Sequence, residues 1–335
     1  MANFEGISLE KGMYAVPGKS FTQVLEELDH SDQYRGTSLE GLDAYQRQLK
    51  RFDIKVSGPG SSTVEKFFSA AGSAALFPEY VARAVAQGME KNNKVTDLVA
   101  TVTRIDALDY RGLDAESEDE GSVPVVAEGA KLPQTAIRTS SGLVRLRKRG
   151  RVLSTSYEAL RYQKLDLLTV TLRQIGAYMA AALNQDAVNT LLEGDGSKAG
   201  ISFTASTSLA YEDFLKLWGG LAPFELNTLA AGTEGMQKLL QITEFKDAQA
   251  GLNFQGTGKL CTPLGATLVH IPGMESGKIV GLDKTAALEM VQAGDIVTEY
   301  DRLIDRQLEQ TAISVTAGFA RLYTGAAHGV SYTAA

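Results

Sequence analysis

The chain has 335 residues, 44% of them hydrophobic and 22% charged, with a net charge of −7 and one cysteine. At roughly 150 residues per domain that predicts about two domains, or one with long excursions, and a sizeable core. A disulfide scaffold is excluded because Cys261 has no mate, no stretch reaches the ~18 apolar residues of a membrane span, and the acidic balance argues against nucleic acid as the partner of the whole surface.

Met1 to Glu10 lacks a basic region followed by an apolar one, so no secretion signal is expected. Residues 1–60 are rich in glycine and charge and end in Ser57-Gly58-Pro59-Gly60. Apolar residues recurring every three or four positions predict short amphipathic helices over Phe21–Leu28 and Leu39–Phe52. These residues are too few for a core, so the segment is expected to lie against something else. Gly18-Lys19-Ser20 follows Gly12 at the wrong spacing for a phosphate loop, with Pro17 between and no apolar strand before it, so it reads as a turn. A helical pattern runs from Thr63 to Met89, broken at Phe77-Pro78. Val95 to Ile105 then reads as a strand, with Val99, Thr101, Thr103 and Ile105 on one face.

The strongest charge pattern follows. Asp114, Glu116, Glu118, Asp119 and Glu120 form an acidic run, and Leu143 to Val152 form a basic strand. Two-residue periodicity puts Arg145, Arg147, Arg149 and Arg151 on one face, with Val144, Leu146, Lys148, Gly150 and Val152 on the other. The two sides could pair as a long antiparallel hairpin, which alone is marginal in water. Its charges favour a surface for another subunit over a merely solvated loop.

Thr155-x-x-Glu158 has capping-box spacing. From about Asp166 to Glu193 a sustained apolar stripe (Leu165, Leu168, Leu172, Ile175, Met179, Leu183) predicts one long helix, stopped by Gly194. At 1.5 Å per residue it would span ~42 Å, a spine for the subunit. Further helices are predicted at Tyr211–Gly219, Thr233–Phe245 and, briefly, Lys284–Ala287. Strands are predicted at Lys259–Leu264, Ala266–Ile271 and Lys278–Gly281, with Leu288–Val291 following the short helix. The last strand, Thr311 to Tyr323, alternates with Ile313, Val315, Ala317, Phe319 and Arg321 on one face and Ser314 and Thr316 on the other. This half reads as a compact α+β domain whose last strand returns to the spine. His30, His270 and His328 lack zinc spacing, and His270 is expected to be a partly buried strand residue. No Gly-x-Ser-x-Gly elbow or dinucleotide fingerprint occurs, so no catalytic, cofactor-binding or metal residues are expected.

Several ordered stretches carry a resemblance. They are Leu76-Phe77-Pro78 before a helix, Val125-Val126-Ala127-Glu128-Gly129-Ala130, and Leu153-Ser154-Thr155-Ser156-Tyr157-Glu158-Ala159-Leu160. Asn184-Gln185-Asp186-Ala187 with Leu191 to Gly196 follows, then Ala287-Leu288-Glu289 to Glu299 with Ile313-Ser314 to Gly318-Phe319. Together, over roughly Thr63 to Ser331, they resemble the major capsid proteins of tailed bacteriophages, with the Hong Kong 97-type α+β fold. The resemblance implies an N-terminal arm (1–94), an extended hairpin loop with its flanking strand (95–154), a peripheral domain with the spine helix (155–205), an axial domain (206–299) and a returning strand with the C-terminal end (300–335).

It also implies a non-enzymatic subunit that closes into pentamers and hexamers of an icosahedral shell around double-stranded DNA, held without sequence-specific binding. The expected partners are other copies, a separate scaffolding protein, a portal and a decoration protein; the expected place is the virion, assembled in the bacterial cytoplasm. The four arginines are expected to meet acidic residues of an adjacent subunit, with Asp114, Glu116, Glu118, Asp119 and Glu120 as candidates. No asparagine follows Asn253, so the lysine–asparagine weld of some relatives is not expected. The alternatives are an encapsulin-type shell around a cargo enzyme and a nucleic-acid-binding protein using strand 145–151.

Overall fold

A computed structural model describes residues 4–16, 19–117, 125–130, 132, 135–140, 142–156, 162–246, 264–303 and 305–333. Glu118, Asp119, Glu120, Glu158, Asn253, Cys261 and all of the expected 259–264 strand except Leu264 lie outside the described residues.

The helices are α1 (Phe21–Leu28), α2 (Ala44–Arg51), α3 (Ala71–Ala74), α4 (Phe77–Asn92), α5 (Leu165–Glu193), α6 (Tyr211–Gly220), α7 (Thr233–Gln241) and α8 (Thr243–Lys246). The strands of the first half are β1 (Val99–Ile105), β2 (Asp109–Tyr110), β3 (Leu113–Ser117), β4 (Thr135–Thr139), β5 (Val144–Arg145) and β6 (Arg147–Ser156). Those of the second half are β7 (Phe203–Ser206), β8 (Thr228–Ala231), β9 (Thr267–His270), β10 (Lys278–Leu282), β11 (Leu288–Ala293), β12 (Val297–Leu303), β13 (Leu308–Arg321) and β14 (Ala327–Tyr332). They form two compact units, one of Met1–Asn92, Gly150–Met179 and Ile296–Ser314, the other of Asn93–Arg149, Ala180–Asp295 and Val315–Ala335. Helix α5 and strand β13 contribute residues to both.

In the first unit, α1 and α2 each open with a capping box, Ser20 with Gln23 and Asp43 with Gln46. The Asp43 cap starts α2 at Ala44 and leaves residues 39–42 as a turn, so the second helix is shorter than expected. The arm lies on its own chain. Arg47, fully buried, donates from Nε to Asp29 at 2.6 Å, and Tyr34 Oη donates to the same carboxylate at 2.5 Å. Arg83 of α4 then reaches back to Asp43 at 2.7 Å and Thr22 at 2.8 Å while holding Glu79 at 2.8 Å. The buried Arg47–Asp29 pair is the one sensitive to loss of either partner, at ~3–5 kcal/mol.

Phe77-Pro78 begins α4 instead of breaking a helix, because proline in a first turn gives up only an N–H that has no intrahelical acceptor. The pattern breaks upstream, between a 3-10 turn (Val64–Phe68), α3 and α4. Phe67, Phe77 and Tyr80 pack there, with Phe67 5.5 Å from Phe77 and 5.4 Å from Tyr80 between ring centroids. Beyond them α4 crosses α5 backbone to backbone. A Cβ on Gly88 would stand 2.1 Å from the Arg173 carbonyl oxygen, and one on Gly176 would stand 2.1 Å from that of Val85.

The second unit contains a sheet ordered β7-β14-β10-β8-β9. Phe214, Leu217 and Leu221 of the α6 region, Leu239 and Phe245 of α7 and α8, and Ile279 and Val330 of the sheet share one buried cluster. The expected short helix at 284–287 is a turn. Asp283 Oδ1 accepts from the Thr285 amide (2.9 Å), the Thr285 hydroxyl (2.7 Å) and the Asn227 side chain (2.8 Å), which competes with helical pairing. His270 is exposed rather than partly buried, because β9 is the edge strand and His270 ends it, 3.0 Å from the Thr233 hydroxyl.

The other large sheet runs β1-β11-β13-β12, with β6 also pairing β13. The first half of β13 pairs β12 in the first unit, and its second half pairs β11 in the second. The expected alternation holds: Ile313, Val315, Ala317, Phe319 and Arg321 are buried, whereas Ser314 and Thr316 are half-exposed. It is not the last strand, since β14 follows.

An alanine in place of a mid-helix glycine ordinarily stabilises by ~1 kcal/mol. Here Gly176→Ala is expected to lower the melting temperature, because the added methyl must push two helix backbones apart. Thermal denaturation checks the sign; a variant that melts at or above wild type contradicts the crossing.

Candidate assembly surface

The excursion between β1 and β6 is a hairpin, but not the one expected. At its base β2 pairs β5 through Asp109 with Arg145 and Tyr110 with Val144. Further out β3 pairs β4, placing Asp114 opposite Arg138 and Glu116 opposite Ala136. The acidic side therefore faces β4. Of the four arginines only Arg145 belongs to the hairpin, because the strand breaks at Leu146 and resumes as β6 along β13. The break lies against Gly318, where a Cβ would stand 3.1 Å from the Arg145 carbonyl oxygen and 3.3 Å from Leu146 Cα. A side chain there would make the crossing chain give way by a few tenths of an ångström.

Arg147, Arg149 and Arg151 share a face of β6 toward α5, and Arg145 lies apart from them on β5. Arg145, Arg147 and Arg151 are exposed, and Arg149 is half-buried. Arg149 makes a two-pronged contact with Asp186 of α5, Nε to Oδ2 at 3.0 Å and Nη2 to Oδ1 at 2.6 Å, which raises its pKa further. Arg147 shares that carboxylate at 3.6 Å. Arg151 lies 5.7 Å above the Tyr178 ring. Sequence reasoning missed Asp186 as a partner; its one signal was a carboxylate within the buried stretch Leu183–Val188 of α5.

Two further acids fix the surroundings of the hairpin. Glu289, in the buried stretch Ala286–Val291, accepts a short hydrogen bond from Thr103 and bonds from Tyr110 Oη at 3.1 and 3.0 Å. Burial, the hydrogen bond to Glu289 and its charge push the Tyr110 phenol up to about 12, so it remains a donor.

Asp195 ends the spine. Gly194 and Gly196 take φ of +99° and +93° on either side of it. Its Oδ1 accepts from the Ser197 amide (2.8 Å), the Ser197 hydroxyl (2.8 Å) and the Lys198 amide (2.7 Å), and its Oδ2 from the Arg321 amide (2.7 Å). Burial alone would raise its pKa, but these donors outweigh it and hold the carboxyl below the usual range. Lys198 Nζ donates to the Arg321 and Leu322 carbonyls at 3.0 and 2.6 Å, closing a latch between the helix end and the end of β13.

A family model described as phage capsid protein matches residues 140–328, and the chain belongs to that family. Among solved structures it is similar to a virus-like particle from Pyrococcus furiosus, at 12% identity and a TM-score of 0.52, covering 75% of this chain and 98% of that one. It is likewise similar to the capsid of a native GTA particle (15% identity, TM-score 0.52, 74% and 91% covered) and to Microbacterium phage Oxtober96 (9%, 0.51, 72% and 91%). The fold is the Hong Kong 97-type capsid fold. No curated protein matches. Among the described residues no helix is long and apolar enough to cross a membrane.

Because the Asp195 pKa is depressed by folding, its contribution is complete above the unfolded value of ~3.9 and is lost as pH falls through the folded one. Asp195→Asn should therefore melt several degrees below wild type at pH 7, with the gap narrowing below about pH 4. Melting curves across that range check it; a gap that is independent of pH contradicts the ionised latch.

Proposed function

We propose that the protein is the major head subunit of a tailed bacteriophage, whose copies close as pentamers and hexamers of an icosahedral shell around packaged double-stranded DNA. The observation that carries this reading beyond family membership is the hairpin. Its outer part, β3 with β4, is a two-stranded sheet, too small to be stable by itself in water. The hairpin leaves Leu108 exposed at its base and Val125, Leu132 and Ile137 exposed farther out, and α5 leaves Leu167, Val170 and Tyr178 exposed in turn. Such surfaces fit a subunit whose stability is completed by other copies.

With Arg149 engaged by Asp186, Arg145 and Arg147 are the arginines best placed to meet an adjacent subunit's acidic residue, among Asp114, Glu116, Glu118, Asp119 and Glu120. A separate scaffolding protein, a portal and a decoration protein complete this reading. Its setting is a virion assembled in the bacterial cytoplasm, and the subunit works without catalysis or cofactor. The nucleic-acid reading is weakened, since its four-arginine face is interrupted at Leu146 and partly neutralised by Asp186. An encapsulin-type shell shares the fold and differs in its contents.

The protein expressed alone or with its scaffolding protein should sediment as closed shells visible by electron microscopy, and particles from infected cells should hold nuclease-protected, genome-length DNA. A packaged enzyme in place of DNA would favour the encapsulin reading. Reversing Arg145 and Arg147 to glutamate should lower shell yield and salt resistance together. Normal, equally salt-resistant particles would remove the arginines from the interface.

A further inference from the structure

Glu289 is 5% exposed, yet the bonds it makes are to hydroxyls, and no lysine or arginine pairs with it among the described residues. A buried carboxylate without a cation is a costly occupant of a β-strand flanked by Leu288 and Met290, where an apolar side chain would pack at no such penalty. What it supplies is direction. Glu289 lies on β11, in register with Thr101 of β1 and Ala320 of β13, and takes one hydroxyl from β1 (Thr103) and one from the hairpin's first strand (Tyr110).

The outgoing strand of the hairpin has little else to fix its direction. The ladder between β2 and β5 is two residue pairs long, flanked by the Leu146 amide on the Leu108 carbonyl and the Ser140 amide on the Gly112 carbonyl, and so short a ladder is marginal by itself. The return strand is located by contacts of its own, where Gly142 meets Ser197, where Arg145 and Leu146 cross Gly318 and where Arg149 grips Asp186. The outgoing strand depends on Tyr110. We infer that Glu289 is a positioning residue for shell assembly: through Tyr110 and Thr103 it sets the direction in which the hairpin leaves the sheet, and so whether its outer part meets a second copy of this chain. This rests on the capsid reading. It adds that assembly is governed by a buried acid outside the contact surface.

The test separates positioning from folding. Tyr110→Phe removes one half-buried hydroxyl and keeps the ring, so the subunit should retain its circular dichroism spectrum and melt within a few degrees of wild type. Its assembly should weaken about tenfold in apparent association constant, which corresponds to ~1.4 kcal/mol. Trypsin should also cut the purified subunit faster between residues 111 and 147. Glu289→Ala should show the same effects more strongly, and Glu289→Gln, which keeps one acceptor oxygen, should restore most of the assembly. If Glu289→Ala does not fold, Tyr110→Phe decides alone. Wild-type shells with equal yields and equal proteolysis from Tyr110→Phe would overturn the anchor while leaving the capsid reading intact. A loss of assembly that only tracks a loss of melting temperature would overturn it too. A wild-type protein that forms no shells, alone or with its scaffolding protein, would overturn the capsid reading itself.

Discussion

The second unit is organised around one carboxylate. Asp195 follows the last turn of α5, and its oxygens take amide protons from its own turn and from the last residue of β13. The turn it shapes sets Ser197 against Gly142, where a Cβ would stand 1.9 Å from the Ser197 Cβ, so the returning hairpin strand approaches the same point. Arg149 grips Asp186, farther back on the same helix. Helix end, long strand and hairpin base thus meet where two left-handed glycines let the chain turn around a charged acceptor. A neutral side chain at 195 would leave inward-pointing donors short of an acceptor, and unsatisfied buried donors cost more than the bonds are worth when made.

That arrangement divides the molecule's contacts into those it completes itself and those it leaves open. The arm, expected to need another surface, finds it on α4 through Arg83 and encloses its own buried Arg47–Asp29 pair. The hairpin base is likewise closed, by Glu289 and Gly318. The open contacts are the outer hairpin, β3 with β4, and the exposed apolar residues of α5. On the capsid reading, folding therefore precedes assembly for most of the chain and is coupled to it in the hairpin alone.

What was legible in the sequence was what depends on near neighbours. Helix α5 announces itself because its apolar residues recur at helical spacing over 29 positions and a glycine stops it. Strand β13 shows through strict alternation. Strand β8, Thr-Leu-Ala-Ala, is buried at every position and so has no alternation to read. The turn after Asp283 depended on a side chain taking backbone protons, which apolar spacing does not register. The arginine run is interrupted for a longer-range reason: periodicity assumes an unbroken strand, and near Gly318, far away in sequence, the strand breaks at Leu146, setting Arg145 apart while Arg147, Arg149 and Arg151 keep the alternation on β6. For Asp186 and Glu289 the available signal was an acid inside an otherwise buried run. That mark points to a partner without naming it.

The central claim is that arm and hairpin base are satisfied within one subunit, leaving the outer hairpin to its neighbours. A side-chain-resolution cryo-electron microscopy reconstruction of assembled particles tests it most directly. The account predicts α1 and α2 on α4 of their own subunit, Arg149 on its own Asp186, and β3 with β4 lying on an adjacent copy. An arm exchanged onto a neighbour, or Arg149 paired with an acid of another subunit, would contradict it.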